Sequence, residues 1–272
     1  YYLNILLLAA VFVSTTAQNS DYIQYDAEYD APVTSVRLSP DGKKLFVGDQ
    51  AGNLKILDAA AFKVLKSIEK AAGDAILDIE ITPEQDVFFL ASGTAIKLFD
   101  STATPVNNWS VHNTTVWSMD LDPAGEKLVS AEMNKTFQLW DVFNGTVITA
   151  MRGHDDATLA VAFSNDGKYI ASGSNDRKIH LWDAASKQVI ATFQGLGDHI
   201  YDVEFSPDDK FIAACSKDNT IRIWNIEENR PVHLLKGHRD MVMEIEFSPD
   251  GKYLLSASAD FTIRLWDVTS GE

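Results

Sequence analysis

The chain has 272 residues, 46% of them hydrophobic, enough to build the core of one large domain or two small ones. Lys and Arg number 23 against 39 Asp and Glu, a formal net charge of −16. A surface this acidic repels phosphate backbones and argues against nucleic-acid binding. The single cysteine, Cys215, excludes an intrachain disulfide and reads as a buried, inert thiol.

In chain order, residues 1–20 come first. Leu3 to Val13 is an apolar run of 11 containing one Asn, followed by Thr15, Ala17 and Gln18. Such a run matches the core and cleavage site of a secretory signal peptide and is too short to span a bilayer comfortably. The expectation is a signal peptide or apolar leader over 1–20, with cleavage after Ala17 and no membrane span in the mature chain. Four glycosylation sequons, at Asn108, Asn113, Asn134 and Asn144, are compatible with export. With a signal peptide the protein is secreted or extracytoplasmic; without one it is cytoplasmic.

From residue 21 the chain repeats. The pairs Leu57-Asp58, Phe99-Asp100, Trp140-Asp141, Trp182-Asp183, Trp224-Asn225 and Trp266-Asp267 are spaced by 42, 41, 42, 42 and 42 residues. Six units of 42 account for residues 21–272, leaving only the first 20. A repeat of this length ending in Trp-Asp marks a four-stranded propeller blade. The fourth repeat is the clearest. It predicts strands at 159–163, 169–173, 178–182 and 189–193, with a tight turn at Asn165-Asp166-Gly167, where Gly allows a positive φ. The turn signal recurs as Ser39-Pro40-Asp41-Gly42, Asp122-Pro123-Ala124-Gly125, Ser206-Pro207-Asp208-Asp209 and Ser248-Pro249-Asp250-Gly251. The second repeat, with Thr82-Pro83-Glu84-Gln85 and no Gly, is the most divergent. The last repeat stops after its third strand. Residues 21–26, around Tyr22, Ile23 and Tyr25, are expected to supply the missing strand and close the ring.

With Gly153-His154 and Gly237-His238 opening the units that close at Trp182-Asp183 and Trp266-Asp267, everything after about residue 21 resembles the WD-repeat β-propeller family. The implied fold is all-β, a single six-bladed propeller of four-stranded antiparallel blades over residues 21–272. The resemblance also implies a buried hydrogen-bond network: His154, Ser174 or Ser172, Asp176 and Trp182, and again His238, Ser258 or Ser256, Asp260 and Trp266. A Ser, a His and an Asp invite comparison with a nucleophilic triad. An active site occurs once, however, and this set recurs at the repeat period. The third repeat keeps His112 and Trp140 but has Asn134 for Asp, and the fifth has Leu196 for His. The first two lack both His and Trp, so their blades are expected to be looser.

The position five after the His commonly touches a bound peptide at the top mouth in this family. Here it is Thr34, Leu77, Trp117, Leu159, Tyr201 and Met243. Flanking positions add Met133, His199 and Met241. An exposed aromatic and Met cluster is what a peptide or protein site looks like. The expected function is a non-enzymatic scaffold binding a peptide or protein partner there. The alternatives are an extracytoplasmic structural or sensor propeller, or a propeller enzyme with a channel active site. No Gly-rich phosphate loop, zinc-ligand spacing or Gly-x-Ser-x-Gly elbow is present, so no cofactor, metal or catalytic residue is expected. Nor do His or carboxylates read as a repeating ring at the inner-strand positions.

Overall fold

The structure, a computed structural model, describes residues 31–110 and 114–272. The leader at 1–20, the expected closing strand at 21–26 and His112 lie outside the described residues. The described residues form 23 strands and no helix.

The apolar, β-branched runs between the turns form six antiparallel meanders, each in sequence order from the channel outwards. Blade 1 holds β1 (Val33–Leu38), β2 (Lys44–Asp49), β3 (Leu54–Asp58) and β4 (Val64–Ile68). Blade 2 holds β5 (Ile76–Ile81), β6 (Val87–Ser92), β7 (Ala95–Asp100) and β8 (Pro105–Trp109). Blade 3 holds β9 (Val116–Leu121), β10 (Lys127–Glu132), β11 (Thr136–Asp141) and β12 (Thr146–Arg152). Blade 4 holds β13 (Thr158–Phe163), β14 (Tyr169–Ser174), β15 (Lys178–Asp183) and β16 (Gln188–Gln194). Blade 5 holds β17 (Ile200–Phe205), β18 (Phe211–Ser216), β19 (Thr220–Asn225) and β20 (Arg230–Lys236). Blade 6 shows β21 (Val242–Phe247), β22 (Tyr253–Ser258) and β23 (Ile263–Asp267) among the described residues. The four strands expected in the fourth repeat are all present.

Gly at the first turn takes φ near +70° at positions 42, 125, 167 and 251. The second repeat keeps the same turn without glycine. The Gln85 amide bonds the Thr82 carbonyl at 2.8 Å, and Gln85 accepts a φ of 58°. Asp209 does the same in blade 5 at 56°.

The core lies between blades rather than within them. Ile179, Leu181 and Ala171 of blade 4 pack on Ile200, Val203 and Trp224 of blade 5. Trp109 of blade 2 stacks on Trp140 of blade 3, centroids 5.2 Å apart and planes 13° from parallel. Sheets buried on both faces need apolar residues on both, and that blurs the polar–apolar alternation of a half-exposed strand. Blades 1 and 2, which lack the polar network, are filled instead by a contiguous apolar cluster. In it Phe88 stacks on Phe99 and meets Phe46 at a 60° tilt, each pair with centroids 5.1 Å apart.

Each of the six inner strands, β1, β5, β9, β13, β17 and β21, carries one irregularity in its ladder, at the same place. The pairing skips Thr34, Leu77, Trp117, Leu159, Tyr201 and Met243 in turn. An extra residue of this kind is a β-bulge, which re-aims its side chain and sharpens the local twist.

Candidate functional site: the blade network, the mouth and the channel

The hydrogen-bond network is built in blades 4 and 6. His154 Nδ1 lies 3.0 Å from Asp176 Oδ2, and its Nε2 lies 2.8 Å from Ser172 Oγ. Trp182 Nε1 donates to the same Ser172 Oγ at 2.8 Å. The copy reads His238–Asp260 at 3.0 Å, His238–Ser256 at 2.7 Å and Trp266–Ser256 at 2.8 Å. The hydroxyl is therefore that of Ser172 and Ser256, and Ser174 and Ser258 are corrected out of the relay. They sit one turn of the pleat further along, where each Oγ donates to a carbonyl, that of Asp156 or Asp240, and accepts the amide of Asp176 or Asp260. Gly153 is required because a Cβ there would sit 2.8 Å from the Trp182 ring.

Burial opposes the charge on Asp176, but the His154 bond and the Asp155 amide outweigh it and hold the carboxyl far below its usual range. Burial lowers the His238 pKa against the pull of Asp260. Ser172 and Ser256 are buried, and each hydroxyl is shared between an imidazole and an indole, so neither is a free nucleophile. His154, Asp176 and His180 also gather three donor atoms within 4.8 Å. Their nitrogens already have partners: His180 Nδ1 meets Thr192 Oγ1 at 2.9 Å and Nε2 meets the Gly153 carbonyl at 3.3 Å. That satisfaction fits a structural relay better than a metal donor set. Blade 3 keeps the Trp140–Ser130 bond at 2.9 Å. Blade 5 replaces the relay with the buried, apolar Leu196 and Ala214.

The inner strands surround one channel of about 910 Å³. Four of the bulge residues with large side chains, Leu77, Trp117, Tyr201 and Met243, line it, all half-buried. Leu159 is buried at 4% exposure and does not line it. Met133 is 47% exposed on the rim, Met241 is half-buried ahead of β21, and His199 pairs with Asp198 at 3.2 Å. None of these three lines the channel.

Below the mouth the channel is acidic, which overturns the expectation that carboxylates do not gather on the inner strands. Blade 2 contributes Asp78 and Glu80, blade 3 Asp120, blade 5 Asp202 and Glu204, and blade 6 Glu244 and Glu246. The missed signal is Asp/Glu-x-Asp/Glu immediately after the bulge, in Asp78-Ile79-Glu80, Asp202-Val203-Glu204 and Glu244-Ile245-Glu246. Three of the aspartates join neighbouring blades. Asp78 Oδ2 accepts the Met119 amide at 2.6 Å, Asp120 Oδ2 the Phe163 amide at 2.6 Å, and Asp202 Oδ2 the Ile245 amide at 2.9 Å. An inner strand has an unpaired edge, and these side chains satisfy part of it. Arg37 donates to Glu80 at 2.8 Å and is the one basic side chain lining the channel among the described residues. Burial pushes Asp120 up to about 6 and Asp202 to about 7, with amide bonds pulling the other way. Burial, then repulsion from Asp202 and Glu246, pushes Glu244 up to about 8. Glu204 is raised well above the usual range by burial and by Glu246.

A ring of 42-residue meanders, four of them closing on a Trp and two of these tied by a His–Ser–Trp relay, defines a WD-repeat β-propeller. The profile for the echinoderm microtubule-associated protein second β-propeller matches residues 116–272, more than half of the chain, and that for the WD domain, G-beta repeat, matches 23–58. The chain belongs to this family of WD-repeat propellers. It is 30% identical over 119 residues to protein Groucho of Drosophila melanogaster, covering 43% of this chain and 16% of that protein. It is 22% identical over 163 residues to the periodic tryptophan protein 2 homolog of Dictyostelium discoideum, covering 58% and 18%. With THO complex subunit 3 of Arabidopsis thaliana it shares 24% over 137 residues, covering 50% and 43%. The chain thus spans less than a fifth of the length of the first two relatives.

Proposed function

We propose that this propeller is a non-catalytic scaffold that binds a peptide or protein segment at the top mouth of its channel. The observation that carries the reading is the bulge row. It sets Trp117, Tyr201, Met243 and Leu77 on the wall of a large cavity, and large half-buried aromatics and Met in a concavity are the usual anchors of a partner. Relatives whose names place them in complexes, such as THO complex subunit 3, support a protein partner over a small substrate. The charge of −16 and the acidic channel disfavour a nucleic acid. Met133, Met241 and His199 would meet the partner from the rim, with Leu159 packed behind the channel wall.

The test is capture of partners from a native extract by the wild type and by Trp117→Ala/Tyr201→Ala. The double variant is expected to lose its principal partner with its melting temperature within a few degrees of wild type. Retention of every partner by a folded double variant would remove the mouth from the account.

A further inference from the structure

The channel holds more carboxyl groups than its own chain engages. Asp78, Asp120 and Asp202 are engaged by backbone amides, and Glu80 by Arg37. Glu204, Glu244 and Glu246 remain on the adjoining walls of blades 5 and 6. No basic side chain lies at ion-pair distance from them among the described residues. Glu244 Oε2 is buried and has no hydrogen-bond partner. A buried carboxyl oxygen without a partner is unfavourable, and more so when charged. The site therefore gains whenever a donor arrives.

We infer that the channel below the mouth accepts the guanidinium of an arginine side chain from the bound segment, held by Glu204, Glu244 and Glu246. The inference rests on the mouth being the binding site. Blade 1 supplies the precedent inside the same channel: Arg37 already places a guanidinium against Glu80. A guanidinium suits the walls of blades 5 and 6 for the same reasons. It is weakly hydrated, so it enters a cavity at less cost than an ammonium, and its planar fork serves two carboxylates at once. The lining fits too, since Trp117 and Tyr201 border the same channel and aromatic rings attract cations. A bare divalent ion is the poorer match. The aspartates that would complete its shell already spend oxygens on amides.

The experiment measures binding of the full chain to three fluorescent heptapeptide pools with randomised flanks, their central residue fixed as arginine, citrulline or norleucine. Citrulline keeps the shape of arginine and removes its charge. The wild type is expected to retain the arginine pool at least tenfold better than the citrulline pool. Glu204→Gln/Glu244→Gln/Glu246→Gln should bring that ratio close to one, and Trp117→Ala/Tyr201→Ala should weaken all three pools. If the triple variant does not fold, Glu244→Gln alone is used, with the ratio expected to fall about threefold. Equal retention of arginine and citrulline by the wild type overturns the guanidinium site. If the pools then still depend on Trp117 and Tyr201, the mouth reading survives it. If no pool binds, both fall. Thermal stabilisation of the wild type by calcium, lost in the triple variant and without arginine preference, assigns the carboxylates to a metal and also overturns the inference.

Discussion

At Ser172 one oxygen serves two rings, and this makes it the most sensitive atom of blade 4. Ser172→Ala leaves His154 Nε2 and Trp182 Nε1 without their partner in a buried site. The expected loss is about 2–3 kcal/mol, the scale for buried polar groups left unpaired. Ser174→Ala removes only bonds to backbone and should cost about 1 kcal/mol. Urea midpoints at unchanged m-value measure both, and a larger loss at Ser174 than at Ser172 would contradict the relay. Sequence alone left the two serines open because they stand two apart on one strand and so share a face. The spacing of His154, Asp176 and Trp182 was legible from the repeat. Which hydroxyl bisects the imidazole and the indole depends on strand register, and no periodicity encodes that choice.

Among the elements, the turns and inner strands show where pattern reading succeeds and where it stops. The Ser-Pro-Asp-Gly signals located the first hairpin of most blades because Gly is the residue that relaxes at φ near +70°. The second blade folds the same turn with Gln85 held at 58°, a conformation that carries a penalty of about 1–2 kcal/mol for a residue with a Cβ. Gln85→Gly should therefore raise stability by about 0.5–1 kcal/mol, after allowing for the extra chain entropy of glycine. A drop in melting temperature would show that the Gln85 side chain is doing something the turn geometry does not reveal. The channel carboxylates escaped the sequence reading for a related reason. The repeat column at the bulge does not contain them, because the acids fall one and three positions later. A bulge shifts the alternation by one, so two successive residues, such as Tyr201 and Asp202, both reach the channel.

For the molecule as a whole, the acidic channel sets a dependence on pH. The folded state holds Asp202 near 7 and Glu244 near 8, above the values of the free side chains, chiefly because burial penalises their charge. A carboxyl whose folded pKa is raised binds its proton more tightly folded than unfolded. Its favourable contribution is full below the unfolded pKa of about 4 and is lost as pH climbs towards 8. His180 and His238 work in the opposite direction. Burial depresses their folded pKa values, so the fold loses stability as pH falls below about 6.5 and the unfolded imidazoles take up protons. Comparing the wild type with Glu204→Gln/Glu244→Gln/Glu246→Gln cancels the histidine part. The variant should melt several degrees higher than wild type at pH 8, at about 2–4 °C per kcal/mol for a domain of this size, with little difference at pH 5. A gap that is the same at both pH values would mean that the channel charges are already compensated in solution.

Because the ladders skip one residue on each inner strand, that residue is a passenger on its strand. Exchanging one leaves every cross-strand partner opposite the same neighbour, so the channel lining can change without rethreading a blade. If the proposed site holds, positions 34, 77, 117, 201 and 243, which line the channel, are the natural places to graft a new specificity onto an unchanged frame.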